Sequence, residues 1–212
     1  MRNIPIFTAE YGVASLILES VPERKEAYVR IQSSLEPEKL VQECSSFCRA
    51  CGAERIYATG HEILENYPLH TAIMQMNADR AGVGETDALL FPVQEQTAQQ
   101  WRSIYNEAMA NVDNAAWMSE RGMKQLLKEG SAYFIHRDRT ILGIGKASVD
   151  RIDAVASVVR GSGADVVRAL CHAISADTVI IEVASTNTRA IALYERLGFI
   201  KTKELSRWYQ IF

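Results

Sequence analysis

The chain has 212 residues, 48% of them hydrophobic and 23% charged, with a net charge of −3. That length allows one large domain or two small ones, each with a core of its own. The acidic balance argues against a dedicated nucleic-acid binder, which carries a basic excess, and no apolar run approaches the roughly 18–20 residues of a membrane span. The charge is uneven. Residues 1–92 hold 8 Lys and Arg against 13 Asp and Glu, whereas residues 93–212 hold 15 against 13, a mild excess that suits an anionic cofactor. Met1 to Pro5 lack the apolar stretch and small-residue cleavage site of a secretory signal. Four cysteines, three of them crowded at Cys44, Cys48 and Cys51, form no spaced disulfide framework. A cytoplasmic protein is expected.

In chain order, residues 12–21 and 27–34 read as strands joined by a turn at Pro22 to Arg24. Residues 34–52 read as a helix, with Pro37, Glu36 and Glu38 in the first turn and Gly52 as its stop. Residues 54–60 and 69–77 are two further strands, and the polar, glycine-bearing stretch 79–87 is the expected linker. The pattern then restarts. A short strand at 90–93 precedes helices over 97–109, capped by Thr97, and 119–129, stopped by Gly130. Three strands at 133–136, 141–148 and 154–159 are separated by charged turns at Asp138-Arg139 and Asp150-Arg151. A helix over 164–174 buries Val167, Leu170, Cys171 and Ile174 on one face. The apolar run 179–183 reads as a strand covered on both faces. A helix over 187–197 and a strand over 199–211 close the chain. The expectation is an α/β (α+β) fold in two domains, a ββαββ lobe over 1–80 and a larger domain over 88–212.

Two motifs carry chemistry. Residues 182–199, EVASTNTRAIALYERLGF, combine a strand ending in Glu182-Val183, then Asn187, then Leu193-Tyr194-Glu195 and Leu197-Gly198-Phe199. This stretch resembles the signature of the GNAT superfamily of N-acetyltransferases, and within it the bacterial enzymes that acetylate the N-terminal alanine of a ribosomal protein. A capped amphipathic helix would explain the apolar spacing but neither the Asn nor the Tyr. Upstream, residues 155–165, VASVVRGSGAD, are similar to that superfamily's strand and R/Q-x-x-G-x-G/A loop. Main-chain N–H groups at a helix N-terminus lack intrahelical partners and point at an anion, and glycines let the backbone approach a pyrophosphate closely. The last loop position is Asp165 where the superfamily has Gly or Ala. Its carboxylate would repel a pyrophosphate unless Arg160 or Arg168 intervenes, or else it points away as a first-turn acid.

The resemblance implies a mixed, mostly antiparallel sheet flanked by helices over residues 90–212, with acetyl-CoA as co-substrate and a primary amine of a small molecule or peptide as acceptor. Glu182 is the expected general base, its strand being apolar enough for burial to raise a carboxyl pKa, and Tyr194 the expected general acid. Asp153, Ala154, Val155, Arg160, Gly161, Ser162, Gly163, Ala164, Asp165, Val166 and Asn187 are expected to contact the cofactor. Main-chain groups around Val155 would bind the thioester carbonyl oxygen. Trp208 and Tyr209 suit either an acceptor cleft or core packing. The strand and helix order of residues 1–80 echoes the middle of the same fold. Ser33-Ser34-Leu35-Glu36 replaces any phosphate loop there, so the lobe reads as a degenerate half, or as a platform for substrate capture or homodimer formation.

The run Cys44, Cys48 and Cys51 resembles the cluster motif of radical S-adenosylmethionine enzymes. It lies on a predicted helix beside Leu40 and Phe47, where free cysteines act as small apolar residues, so no metal is expected. The alternative to an enzyme is a non-catalytic acyl-CoA-binding or regulatory module with the same fold.

Overall fold

Local sequence chemistry sets most elements of residues 6–212, the part of the chain that the computed structural model describes; the expectation about Met1 to Pro5 lies outside it. The chain forms two compact units. The first runs to Ala72 and takes in Glu204–Phe212, and the second is Ile73–Lys203.

The first unit contains β1 (Ile6–Ala9), β2 (Gly12–Ile17), β3 (Glu26–Ser34) and β4 (Arg55–Thr59), with α1 (Val21–Arg24) and α2 (Pro37–Ala50) between strands. The turn expected at Pro22 to Arg24 winds up as α1, and β1 was not predicted. β1, β2 and β3 pair antiparallel, whereas β3 and β4 run parallel with α2 as their crossover. Pro37 opens α2, where its missing N–H costs nothing. Leu40, Val41, Cys44 and Cys48 form the buried face of α2 and meet Leu16, Val29, Ile31 and Ile56 in one core. Glu26, only 4% exposed, is held by Arg24 at 2.9 Å and Arg55 at 3.0 Å and accepts a hydrogen bond from the Tyr28 hydroxyl at 3.0 Å. A buried carboxylate so paired is satisfied.

The second unit orders its strands β5-β10-β9-β8-β7-β6. These are β5 (Leu69–Asp79), β6 (Leu89–Pro92), β7 (Ala132–Arg137), β8 (Thr140–Ala147), β9 (Arg151–Ser157) and β10 (Thr178–Ala184). Only β9 and β10 pair in parallel; their crossover is α5 (Gly163–Cys171). Helices α3 (Ala98–Met109) and α4 (Glu120–Glu129) cover one face through Trp101, Met123 and Leu126. The other face carries α5 and α6 (Thr188–Arg196) through Val166, Leu170 and Ile191. This is the mixed, mostly antiparallel sheet flanked by helices that the sequence implied.

The chain does not divide at the stretch 79–87 expected as a linker. Asp79 caps a 3-10 turn over Arg80–Val83 by accepting from the Ala81 N–H at 3.2 Å, and Val83 is 2% exposed in the second core. The chain passes between units inside β5 and inside β11 (Ile200–Gln210), so the boundaries 1–80 and 88–212 each shift. Trp208 and Tyr209 therefore belong to the first unit. Trp208 meets the Tyr28 ring edge-on at 5.7 Å, and Tyr209 lies in the core of α2. Thr97 does not cap α3 with its side chain, because its hydroxyl accepts from the Gln94 N–H in the preceding turn.

Candidate acyl-CoA site

The second unit contains a gap between parallel strands. β9 and β10 pair only at Ile180↔Arg151 and Ile181↔Ile152. Beyond those pairs β10 continues on β5, with Glu182 opposite Gln75, and β9 continues on β8, with Val155 opposite Gly145. Two strand edges thus face each other without a ladder. A bulge aims one of them. Ala147 pairs with Ile152 and Lys146 with Ala154, which leaves Asp153 as the extra residue of β9 and reverses the side on which its backbone groups lie. Since the Val158 N–H donates to Leu142 of β8 at 2.9 Å, the period of two turns the backbone groups of Ser157 and Val155 toward the gap.

Past Ser157 the chain makes the loop 158–162 and enters α5. Gly161 adopts φ +90°, a conformation that a side chain disfavours. Among the described residues, no main-chain acceptor serves the N–H groups of Arg160, Gly161, Gly163, Ala164 and Asp165. Unpaired N–H donors at a helix N-terminus are groups that an anion can satisfy. Glycines of β8 set the depth of α5: a Cβ on Gly143 would strike the Ala156 carbonyl and come within 2.8 Å of Val166, and one on Gly145 would meet Leu170.

Several expected contacts turn inward. The Ser162 hydroxyl donates to the carbonyls of Val159 at 2.8 Å and Leu142 at 3.0 Å, and its N–H is bonded to Val159. Ser162 thus shapes the loop and offers no free donor. Val166 is fully buried under Gly143 with its N–H bonded to the Ser162 carbonyl; helix periodicity points it into the core. Ala154 packs toward α3 and α4, and Val155 toward α5, so only their backbone is available. Asp153 lies 3.7 Å from Lys146. Arg160 is exposed. The Asp165 carboxylate is held by Arg137 at 2.9 Å and by the Thr86 hydroxyl at 3.1 Å, with Arg168 at 3.9 Å. The intervening cation is chiefly Arg137, which sequence reasoning did not select.

Across the gap, Glu182 is not buried as expected. Val179, Ile181 and Val183 fill the core, so alternation turns Glu182 to the other face. Its side chain is 46% exposed and its Oε1 accepts from Arg151 at 3.1 Å. Glu182 is therefore solvated and ion-paired, not desolvated in the strand. Tyr194 is 5% exposed in the core of α5 and α6, 5.9 Å from the Phe199 ring. Burial pushes its phenol well above the usual range, so the group stays protonated at neutral pH. Its hydroxyl has no side-chain or main-chain hydrogen-bond partner among the described residues and is not one of their buried unsatisfied atoms. Asn187 caps α6 by accepting from the Ala190 N–H at 3.2 Å.

Two clefts open in the second unit. One, of about 210 Å³, is lined by Asn187, Thr186 and Arg189 with Asn111, Val112 and Asp113, and the Thr186 hydroxyl donates to Asp113 at 2.7 Å. The other, of about 540 Å³, is lined by Leu89, Phe91, His136 and Arg137 among others. Val155, Glu182 and Tyr194 line neither. In the first unit, Cys44 and Cys48 are fully buried and burial raises their thiols from 9.0 to about 11 and about 12, as befits core residues. Cys51 is exposed.

A family model described as FR47-like protein matches residues 157–209, from the end of β9 through most of β11. No curated protein matches the chain. Solved structures do share its fold. A functionally unknown conserved protein from Staphylococcus epidermidis superposes with TM-score 0.61 at 10% identity, over 99% of this chain and 94% of the other. A GCN5-related N-acetyltransferase from Kribbella flavida gives 0.61 at 11% identity, over 94% and 57%. A tandem GNAT protein from the clavulanic acid biosynthesis pathway gives 0.56 at 13%, over 94% and 78%. The fold is that of the GNAT proteins.

Proposed function

We propose that this protein is an acyl-CoA-dependent N-acyltransferase that moves an acetyl group from acetyl-CoA to a primary amine. One observation carries the reading. Two parallel strands part beside a bulge that aims Val155 into the gap, and the same strand ends on a loop of unpaired N–H groups. An extended thioester with an anionic tail fits such a slot, its arm along β9 and its diphosphate on the N–H donors of Gly161, Gly163, Ala164 and Asp165.

In the reaction the amine nitrogen attacks the thioester carbonyl carbon, the C–S bond breaks, and the amide forms. The Val155 N–H stabilises the charge that develops on the carbonyl oxygen. Tyr194 gives its proton to the departing sulfur and regains one from solvent. Glu182, on the open face and paired with Arg151, receives the amine's proton through water. The likeness of residues 182–199 to the ribosomal-protein alanine acetyltransferases makes a peptide N-terminus the first acceptor to screen, followed by small-molecule amines. A cytoplasmic site, where acetyl-CoA is made available, suits the reaction, and neither nucleic acid nor membrane enters it.

The half-exposed, ion-paired state of Glu182 favours a second reading, a module that holds acyl-CoA without turnover. Tyr194→Phe separates the two. For the enzyme, thiol release with the best acceptor falls about 100-fold or more while calorimetric acetyl-CoA binding is kept. Binding in the wild type without thiol release across the amine panel would establish the module instead.

A further inference from the structure

We infer that Arg137 and Asp165 form a charge-compensating clasp, positioning residues that keep the N-terminus of α5 open to a diphosphate. The inference rests on the acetyl-CoA reading above and assigns the clasp to this chain's own departure from the loop pattern.

Asp165 is the third residue of α5. A carboxylate at that position can reach back to N–H groups at the start of its own helix, as in a capping box. Left free, it would occupy or repel from the donors that an anion needs. Here it is drawn the other way. Arg137 stands at the last pair of the β7–β8 hairpin, opposite Thr140. The hairpin turns through Asp138 and Arg139, both with positive φ, at 48° and 66°, as a tight two-residue connection requires. From that fixed point the guanidinium holds Asp165 Oδ2 at 2.9 Å and Asp87 Oδ1 at 2.6 Å, and donates to the Thr86 hydroxyl at 3.3 Å. Thr86 in turn donates to Asp165 Oδ1 at 3.1 Å. Arg168 adds a contact of 3.9 Å to Asp165 and donates its Nε–H to the Val83 carbonyl at 3.2 Å. Residues 83–87 are thus strapped along α5. Both oxygens of Asp165 are engaged away from the loop, and the Asp165 N–H remains free of main-chain acceptors among the described residues.

The test compares acetyl-CoA, read by calorimetry, with S-acetylpantetheine, which lacks the diphosphate, read by ligand-observed NMR titration. Arg137→Gln should weaken acetyl-CoA binding about tenfold or more and leave S-acetylpantetheine within about twofold. Asp165→Asn should bind acetyl-CoA at least as tightly as the wild type, and adding it to Arg137→Gln should recover most of the loss. An equal loss toward both thioesters would make Arg137 merely structural and overturn the clasp, as would failure of Asp165→Asn to rescue. Should Arg137→Gln not fold, Asp165→Asn alone decides, and weaker binding overturns the inference. A wild type that binds neither thioester removes the acetyl-CoA reading and the clasp with it. A wild type that binds acetyl-CoA, with Arg137→Gln unchanged, removes the clasp alone.

Discussion

The two units contain the same hairpin and crossover, built to different ends. In the second unit, Gly143 of β8 faces Ser157 at the end of β9, and a Cβ there would come within 2.8 Å of Val166, the fourth residue of α5. In the first unit, Gly12 of β2 faces Ser34 at the end of β3, and a Cβ there would come within 2.9 Å of Leu40, the fourth residue of α2. Both glycines let a helix sit hard against a strand. The segments after the two serines differ. Five residues, 158–162, lead to α5, but only Leu35 and Glu36 lead to α2. The parallel strands differ likewise. β3 and β4 stay paired over five positions, from Glu26↔Arg55 to Arg30↔Thr59, whereas β9 and β10 pair over two. Gly60 even follows Ile31 beyond the ladder, since a Cβ would meet the Ile31 carbonyl at 2.5 Å. Glu36 and Glu38 also put negative charge at the start of α2, with Glu36 paired to Lys39 at 2.6 Å. A zipped pair of strands and a shortened acidic loop stand in the first unit where the second has the gap and the longer loop. The two units share a scaffold and differ in the parted strands and the five-residue loop, on which the proposed site rests.

The sharpest way to break this comparison is to fill the matching glycines. Gly143→Ala drives a methyl into the Ala156 carbonyl, and Gly12→Ala drives one into the Ser33 carbonyl. Each should cost more than about 3 kcal/mol, the upper range for overpacking, because the obstacle is backbone that cannot swing away. Urea denaturation reads the loss. Calorimetry at low temperature, on whatever fraction stays folded, should show acetyl-CoA affinity reduced by Gly143→Ala alone. Equal losses from both substitutions would place a binding role in the first unit after all. A smaller effect is expected from the loop. Gly161→Ala meets no side chain but must hold φ at +90°, a strain of about 1–2 kcal/mol. Acetyl-CoA affinity should fall about tenfold as the loop shifts, while Leu35→Gly in the corresponding loop of the first unit changes nothing.

Most of this was legible in the residues, because elements are set locally and the site is not. Pro37, Gly130, the run VIIEV and the Asn187 cap each marked an element that formed within a few residues of its predicted ends. The Gly-bearing loop was visible for the same reason, since a glycine needed for a positive φ shows in the letters. The missing information concerned partners. Nothing near Asp153 announces a bulge, since it depends on how β8 aligns with β9. Glu182 looked buried because its neighbours are apolar, yet alternation puts it on the opposite face from Val183. Arg137 lies 28 residues from Asp165, and only the hairpin brings them together; the signal available was the anomaly of an acid in the loop, which called for some cation without naming it. The chain's passage between units inside β5 and β11 was hidden too. Polar residues at 79–87 looked like a linker, whereas Val83 buries itself and the ends of that stretch are bonded.

The smallest effect expected concerns the thiols, and it tests whether the first unit is only a packed body. Cys44 and Cys48 are raised from 9.0 to about 11 and about 12 because burial disfavours the thiolate, and Cys171 in the second unit is raised to about 11 for the same reason. A thiolate is the reactive form, and a thiol raised from 9.0 to about 11 holds about 100-fold less of it at a given pH. At pH 8, iodoacetamide should therefore modify Cys51 first, the exposed member of the four, and reach the other three only as the units open. The stability these buried thiols lend follows the same sign. It is whole below pH 9.0, where the thiols of the unfolded chain also stay protonated, and is lost as pH rises through about 11 and about 12. The urea midpoint should be flat from pH 7 to 8.5 and fall above pH 9, with Cys44→Ser in the first unit blunting part of that slope. Rapid labelling of Cys44 and Cys48 at pH 8 in the native protein would show that α2 is not the closed wall that the zipped strands imply, and would reopen the first unit as a place for a ligand.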